Sequence, residues 1–317
     1  MKCLLCDKDT QEIVTKRLRN GEKRNVYYCE ECEVTMLDNN CSDVDLREFY
    51  DKKYRKKFKP KLNKGSSPQE LFDIYSNFQE GRIQLIKKFL TKEMRLLEVG
   101  CSAGMFLSHV KNYVSEIVGI DYDSEAARFA SKKCSCPVFD NDIEDTDLDE
   151  QTFDIICMFQ TLEHVKDPHK FLEKYRRYLK PKGIMYVEVP NLYDSLISAY
   201  NLPGHHNFYF HSAHSWYFTE KSLNILMQRA KFGGKIYFSQ DYNIINHMHW
   251  ISADAPQQDC IQGLSAPYLP LRDNLELHKK EELNSFIKRV DFEYKEMLVK
   301  LGITSNLSFI GRKISNY

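Results

Sequence analysis

The sequence predicts an α/β fold in which a doubly wound, mostly parallel sheet follows a small cysteine-containing module. Three observations support this prediction. From residue 95 onwards, apolar runs of strand length alternate with amphipathic segments of helical period. A loop of small residues joins the first of these strands to the first helix. Two Cys-x-x-Cys pairs lie upstream, before residue 33.

The composition is that of a globular protein. The chain has 317 residues, 42% of them hydrophobic and 28% charged, which is enough for about two domains or for one large domain with an appendage. The 45 basic residues balance the 45 acidic ones. A formal net charge of zero weighs against a protein whose main role is to wrap nucleic acid, although it leaves a local basic patch open.

The sequence also predicts a cytoplasmic location. No run approaches the ~18 apolar residues of a membrane span, and residues 1–7 are too short and too soon charged to form a secretory signal. Thiols stay reduced in the cytoplasm. The 10 cysteines are therefore interpreted as metal ligands or small buried apolar residues, and not as a disulfide framework.

The two cysteine pairs predict a structural zinc site in a module over residues 1–42. Their separation is slightly longer than the ~15–20 residues of zinc-ribbon patterns. The turn within each pair directs two sulfurs at one ion, and four thiolates leave no open position for chemistry. Asn20-Gly21 lies between two alternating segments and predicts a hairpin that carries the pairs. The alternative is four unligated cysteines. The predicted ligands are Cys3, Cys6, Cys29 and Cys32.

Residues 43–90 are interpreted as a helical linker and cap region. Residues 43–64 combine an apolar stripe with a dense block of lysines, which predicts an amphipathic helix. Its lysines form either a solvated face or an electrostatic surface for a phosphorylated substrate. Gly65 to Pro68 interrupts the chain. Ser67 and Glu70 then form a capping box for a helix that is predicted to reach about Leu90.

The central signal is a strand–loop–helix–strand unit. Residues 95–99 form a buried strand, residues 100–104 a loop of small residues, and residues 116–120 a second strand that ends at Asp121. Doubly wound sheets bind ligands outside the carboxyl ends of their strands. Small residues let the loop backbone approach a ligand, and an acid at the end of the second strand is suited to two ribose hydroxyls.

These residues resemble the class I S-adenosylmethionine-dependent methyltransferases. Glu98 to Gly104 is similar to the family's acid-x-Gly-x-Gly-x-Gly motif, with Ser102 at the middle glycine, whereas Ser102 and Phe106 break the competing dinucleotide fingerprint. Residues 160–165 resemble the family's Leu-Glu-His-Val segment. Residues 305–313 resemble its antiparallel closing strand. The resemblance implies a Rossmann-like, seven-stranded methyltransferase domain over residues 91–317, with an insertion or lid at about 242–276.

The same resemblance implies a role for each residue of a cofactor site. It places Glu98 and Gly100 at the methionine end of the cofactor, and it assigns the close approach of the loop backbone to Cys101, Ser102, Ala103 and Gly104. Asp121 is assigned to the ribose, and Gln160 to the sulfonium side. The residues assigned to the adenine are Tyr122, Asp142 and Ile143. Cys101 is interpreted as a small loop residue and not as a nucleophile, because methyl transfer from a sulfonium needs no covalent intermediate.

A histidine- and aromatic-rich stretch over residues 205–218 follows the fifth predicted strand. Together with the cysteine module and the methyltransferase core, it resembles sugar methyltransferases that modify nucleotide-linked deoxysugars in bacterial antibiotic and surface-glycan pathways. The carbon-methylating subgroup carries a Glu-His pair where this sequence has Ala213-His214. This departure favours a hydroxyl or amine acceptor, because removing a proton from oxygen or nitrogen needs a weaker base than removing one from carbon.

A histidine is predicted to remove the acceptor proton, because its ordinary pKa of about 6.5 suits that task. The candidates are His214, then His164, then His211 or His205; most histidines are otherwise interpreted as packing residues. Two other functions stay open. One is an RNA methyltransferase that uses the zinc ribbon and the lysine-rich helix, against which the zero net charge and the aromatic acceptor region weigh. The other is a scaffold that binds the cofactor without turnover.

Overall fold

The computed structural model describes residues 2–10, 12–19, 21–38 and 67–314. The predicted lysine-rich helix over residues 43–64 lies outside the described residues. The strands are β1 (Glu12–Arg17), β2 (Lys23–Cys29), β3 (Val34–Leu37), β4 (Arg95–Val99), β5 (Glu116–Ile120), β6 (Val138–Phe139), β7 (Phe153–Phe159), β8 (Leu179–Pro190), β9 (Trp216–Tyr217), β10 (Phe232–Ser239) and β11 (Asn306–Lys313).

The helices lie mainly between the strands of the larger sheet. They are α1 (Pro68–Tyr75), α2 (Glu80–Lys87), α3 (Met105–Val110), α4 (Ser124–Cys134), α5 (Pro168–Tyr178), α6 (Ser195–Ser198), α7 (Pro203–Tyr209), α8 (Glu220–Arg229), α9 (Ile244–Ala253), α10 (Ile261–Leu264) and α11 (Leu277–Leu301). No helix in the described ranges is both long and apolar enough to cross a membrane.

The larger sheet has seven strands in the order β10-β11-β8-β7-β4-β5-β6. The pairs from β8 through β6 are parallel, and β11 runs antiparallel to both of its neighbours. The prediction of a doubly wound, mostly parallel, seven-stranded sheet is therefore confirmed.

Alternate residues of the central strands are buried on opposite faces of this sheet. Leu97 of β4 and Ile156 of β7 belong to one core, which also takes in side chains of α5 and α8. Leu96 and Ile155 belong to a second core, which takes in side chains of α2 and α3. Since successive side chains of a strand point to opposite faces, helices on both sides require near-continuous apolar runs.

The segment after Ser67 differs in part from its prediction. The capping box is present, with the Glu70 N–H 3.2 Å from Ser67 Oγ. The single helix predicted to reach about Leu90 is instead two helices, α1 and α2, joined by a 3₁₀ turn at Ser76–Phe78. The side-chain amides of Asn77 and Gln79 donate to the carbonyls of residues 73 and 75, at 2.9 and 2.8 Å. Side-chain bonds of this kind compete with the backbone ladder and end the first helix.

Two glycines lie near the start of an edge strand of the larger sheet. Thr219 caps α8, and its partner in the capping box is Ser222. Gly233 and Gly234 follow that helix and lie within β10. A Cβ at residue 234 would lie 2.3 Å from the carbonyl oxygen of Ile310. These glycines therefore permit close pairing of β10 with β11.

The smaller sheet joins the N-terminal module to the rest of the chain. Strands β1 and β2 form the predicted hairpin, and the sheet order is β1-β2-β3-β9. Strand β9 belongs to the aromatic segment that follows α7, and Thr35 of β3 pairs with Tyr217 of β9. The module is thus hydrogen-bonded to the segment that carries His211 and His214.

Candidate active site

A cavity of about 1660 Å³ opens at the carboxyl ends of β4, β5 and β7. Ligand pockets commonly measure about 300–1,000 Å³, so this one has room for two ligands side by side. The loop after β4 and the end of β5 line one half. The histidine-rich segment and the predicted lid, which contains α9 and α10, line the other half.

The loop after β4 requires glycine at two positions. Gly100 has φ +75°, and a Cβ there would lie 2.2 Å from Thr161 Oγ1. Gly104 has φ +81°, and its Cβ would lie 2.9 Å from Cys134 Sγ. Only glycine adopts such angles without strain. The loop backbone thus packs tightly against its neighbours, with Gly100, Cys101 and Ser102 on the cavity wall.

Asp121 connects this loop to the end of β5. Its Oδ2 accepts a hydrogen bond from the Ser102 N–H at 2.7 Å, and its Oδ1 accepts one from the Asp123 N–H at 2.8 Å. Two main-chain N–H groups therefore fix the carboxylate of Asp121 on the cavity wall.

Two of the three residues predicted at the adenine lie together on the cavity wall. The Tyr122 hydroxyl donates to Asp142 Oδ2 at 3.0 Å, and the Lys174 ammonium donates to the same oxygen. Burial opposes ionisation of Asp142, but the bonds from Lys174, the Glu144 N–H and Tyr122 outweigh it and lower its pKa. Ile143 is fully buried in the core beneath.

Glu98 lies at the predicted methionine end and has an unpartnered oxygen. Its side chain is buried, and Oε2 has no hydrogen-bond partner. Burial raises the pKa of Glu98 well above its ordinary value, against the opposing charge of Arg82. A buried polar atom without a partner is uncommon. The cradle at Gly100 and this carboxyl therefore fit a ligand that brings its own polar group.

Gln160 has φ +50°, and its side chain belongs to a polar network that lines the cavity. Its amide nitrogen is 3.3 Å from Glu188 Oε1 and 3.1 Å from Asn306 Oδ1. Glu188 in turn pairs with Arg82 at 2.6 Å. This network closes one side of the cofactor half of the cavity.

The structure brings the three leading histidine candidates into one cluster. The rings of His164 and His214 have centroids 4.8 Å apart, and those of His211 and His214 are 3.9 Å apart. His164 Nδ1 is 2.8 Å from the carbonyl oxygen of Ala213. Burial lowers the pKa of His164 to about 4 and lowers that of His214 well below its ordinary value. All three imidazoles line the cavity.

A fourth member of this cluster, Glu163, was not assigned a role from the sequence. Its Oε1 is 3.7 Å from His164 Nε2 and 3.8 Å from His214 Nε2. In the part of the chain that the structure describes, neither carboxyl oxygen has a hydrogen-bond partner, and burial raises the pKa of Glu163 to about 8. Its place in the Leu-Glu-His-Val segment could have marked Glu163 as a candidate site residue. The sequence around that segment, however, does not predict a contact with His214.

Comparison with known proteins covers the middle of the chain. A family model described as a methyltransferase domain matches residues 72–233, from α1 into the start of β10. The chain belongs to this methyltransferase family. The matched range includes the glycine loop, Asp121, Gln160 and the histidine cluster, but it leaves out the cysteine module and the closing strand.

Relatives of this methyltransferase domain include proteins named ubiquinone biosynthesis O-methyltransferase. The one from Pelagibacter ubique is 27% identical over 157 residues, which cover 44% of this chain and 65% of the relative. The one from Nitrobacter winogradskyi is 33% identical over 97 residues, which cover 29% and 37%. The alignments thus span less than two thirds of either relative.

A solved structure shares the fold. It is the crystal structure of a SAM-dependent methyltransferase from Archaeoglobus fulgidus, with a TM-score of 0.50 and 18% sequence identity. The similarity covers 77% of this chain and 97% of that one. At this identity the likeness is evidence for the sheet topology alone.

The four predicted zinc ligands lie together, outside the range matched as a methyltransferase domain. All four thiols are free of disulfides. Their sulfurs are 3.5 Å apart for Cys3 and Cys32, 3.5 Å for Cys6 and Cys29, and 3.7 Å for Cys6 and Cys32. A tetrahedral ion with Zn–S bonds of about 2.3 Å places its sulfurs about 3.8 Å apart. The geometry of the thiols therefore fits structural zinc.

The cysteine module also holds both ends of the acceptor segment of the methyltransferase domain. The Arg19 N–H donates to Phe210 O at 2.8 Å, immediately before His211. The Leu37 N–H donates to Ser215 O at 2.9 Å, immediately after His214. The two histidines therefore lie between two points at which the module is hydrogen-bonded to the methyltransferase domain.

Proposed function

We propose that the protein transfers a methyl group from S-adenosylmethionine to a small-molecule acceptor. The observation that carries this proposal is one shared cavity among the described residues, in which Asp121 and the glycine loop face one half and the buried histidine cluster faces the other. Membership of the methyltransferase family supports the same reaction. The cavity volume supports simultaneous binding of cofactor and acceptor.

The cofactor half has a suitable group for each part of S-adenosylmethionine. Asp121 would bind the ribose hydroxyls, Tyr122 and Asp142 would lie near the adenine, and Glu98 would receive the methionine ammonium. When bound, the cofactor supplies a methyl group on a positively charged sulfur that departs as a neutral thioether. The protein therefore has to hold the acceptor in line and accept one proton.

We further propose that the acceptor is a sugar or a nucleotide-linked sugar. The acceptor half combines imidazoles with the aromatic rings of Phe208, Tyr209 and Trp250, and it is covered by α9 and α10. Aromatic faces and neutral polar groups suit a ring that carries hydroxyls. The names of the ubiquinone relatives support a small-molecule acceptor. A dihydroxybenzoate, as a small aromatic acceptor, is therefore the compound against which a nucleotide sugar is compared in the test.

His214 is proposed as the base. Its imidazole lines the acceptor half and is neutral at neutral pH, because burial keeps its pKa low. A neutral imidazole has a lone pair for the proton of a hydroxyl or amine. Ala213, in place of the glutamate of the carbon-methylating subgroup, supports oxygen or nitrogen as the methylated atom.

The test begins with calorimetric titration of S-adenosylhomocysteine into the purified protein. Micromolar affinity is expected, and no measurable binding would overturn the proposed function. Turnover is then measured by mass spectrometry with thymidine diphosphate glucose, 3,4-dihydroxybenzoate and an RNA hairpin as probe acceptors. Methylation of the nucleotide sugar supports the sugar acceptor, whereas methylation of either of the other probes reassigns it.

His214→Ala separates the base from the cofactor site. Turnover of the methylated probe should fall by about 10²-fold, the contribution typical of a general base, while affinity for S-adenosylhomocysteine stays the same. His278→Ala is the matched control, since that side chain is 68% exposed on α11. Unchanged turnover in His214→Ala would exclude His214 as the base.

A further inference from the structure

We propose that Glu163 is a positioning residue that fixes the proton of His214 on Nε2 and so presents the Nδ1 lone pair to the acceptor. The inference rests on the proposed function. Glu163 Oε1 is 3.8 Å from His214 Nε2. Closure by about 1 Å makes this contact a hydrogen bond, as is common when a catalytic site fills with its ligands.

The main chain holds Glu163 and His214 in register. Glu163 lies in the turn Leu162–His164 that follows β7, and His214 lies just before β9. The Ser215 N–H donates to the carbonyl oxygen of Glu163 at 2.8 Å, and His164 Nδ1 donates to the carbonyl oxygen of Ala213. The two residues that flank His214 are thus bonded to Glu163 and to its neighbour. A carboxyl and an imidazole anchored in this way meet without any loop rearrangement.

The Glu163 carboxyl is enclosed by the protein and lies beside two imidazoles. Its side chain is 1% exposed, and neither oxygen has a hydrogen-bond partner among the described residues. His164 Nε2 and His214 Nε2 lie 3.7 and 3.8 Å from Oε1. A buried carboxyl without a partner lowers stability and therefore calls for a functional explanation. The titratable and charged groups that act on this pair are His164 from the same turn, Arg82 from α2, Glu188 from β8, Tyr209 from α7, His211 and Tyr217 from the acceptor segment, and Arg19 from the module.

The proton balance of the step is simple. The acceptor O–H or N–H bond breaks, and its proton binds the Nδ1 lone pair of His214. The electron pair left on the acceptor atom forms the bond to the methyl carbon, while the sulfur–methyl bond of the cofactor would break with its electron pair retained by the departing neutral thioether. The imidazolium that forms is stabilised by the Glu163 carboxylate at its other nitrogen. After product release the proton passes from Nδ1 to water.

Burial raises the pKa of Glu163 to about 8, so the carboxylate form increases as the pH rises through that value. Without Glu163, no side chain among the described residues would determine which ring nitrogen of His214 carries the proton. Ala213 cannot supply one, although it occupies the position where the carbon-methylating relatives have glutamate. Glu163 therefore provides, from a distant segment, a carboxyl for the same histidine.

The experiment is a pH titration of the histidine side chains by ¹⁵N NMR, from pH 6 to 10, in the full-length protein. In the wild type, the His214 nitrogens should show an inflection near pH 8 and report the Nε2–H tautomer above it, where Glu163 is ionised. Glu163→Gln should remove the inflection, and Glu163→Asp should keep it at a shifted pH. Glu116→Gln, at a half-exposed carboxyl paired with Arg95, is the matched control and should resemble the wild type.

The titration tests the proposal without the need for a methyl acceptor. A flat wild-type response, or the same inflection in Glu163→Gln, would overturn it, and the wild-type result stands even if a variant misfolds. Loss of a bound metal ion in Glu163→Gln would also overturn it, because the cluster would then hold a cation. Absence of methyl transfer with an intact titration would instead count against the proposed function alone.

Discussion

Thr35 and Tyr217 are paired residues of neighbouring antiparallel strands, although one belongs to the cysteine module and the other to the segment that carries the acceptor histidines. Trp216 packs in the same core as Cys3, Cys29 and Cys32. The module is therefore part of the wall behind the acceptor site. Loss of the metal ion from the module should therefore reduce turnover of the acceptor and should change the affinity for the cofactor much less.

Metal removal tests this relationship. The isolated protein should contain about one zinc per chain, and Cys32→Ser should lose it because three thiolates bind zinc far more weakly than four. Turnover should fall by at least about 10-fold, whereas affinity for S-adenosylhomocysteine should change by less than about 3-fold, since none of the four predicted zinc ligands is among the described residues that line the cavity. Metal analysis and calorimetry measure the two effects. Cys136→Ser is the control, and zinc absent from the wild type would reject the site.

Asp121→Ala should weaken binding of S-adenosylhomocysteine by about 100-fold, because it removes a charged acceptor for two hydroxyls and also releases the Ser102 N–H. Calorimetry measures the change directly. Asp147→Ala, at an exposed carboxylate outside the cavity, should bind as tightly as the wild type. Equal affinity of both variants would remove Asp121 from the cofactor site.

Gly100→Ala should destabilise the fold by more than about 2 kcal/mol, because a left-handed φ is strained for alanine and the new methyl would clash with Thr161. Gly81→Ala is a well-matched control. A Cβ at residue 81 has nothing within 4 Å, and the position lies within α2, so alanine should stabilise by about 0.5–1 kcal/mol. Denaturant unfolding measures both. Similar stability in the two variants would show that the loop is not strained.

The stability of the protein should depend on the ionisation of Glu163. Burial raises the pKa of this acid from 4.5 to about 8, so its contribution to stability is complete below pH 4.5 and is lost as the pH rises through 8. Glu163→Gln lacks this dependence. The difference in unfolding free energy between wild type and variant should therefore move by about 2 kcal/mol in favour of the variant between pH 6.5 and 8.5.

Burial lowers the pKa values of His164 and His214, so both are neutral in the two folded proteins over this range and their contributions cancel in this comparison. Chemical unfolding at the two pH values supplies the four free energies. A difference that stays constant would mean that Glu163 is already ionised in the folded protein throughout the range, whereas a change of about 2.7 kcal/mol would mean that it stays neutral there.

Several parts of the fold were predictable because their causes are local. The apolar run at residues 95–99, the glycine angles at Gly100 and Gly104, and the Ser67 capping box each depend on a few neighbouring residues. The break between α1 and α2 was missed, because it depends on the side-chain amides of Asn77 and Gln79 and not on a proline or glycine. Both amides also fit an uninterrupted helix.

The sequence by itself determined the order of strands and helices, the glycine loop with Asp121 after it, and the paired cysteines. Each of these features depends on residues that are only a few positions apart in the chain. Only the tertiary structure decided that Glu163 meets His214 and that β3 pairs with β9. These contacts join residues 51 and about 180 positions apart. No local periodicity encodes them, because they arise when the sheet brings the end of β7 and the N-terminal module to the same edge of the cavity.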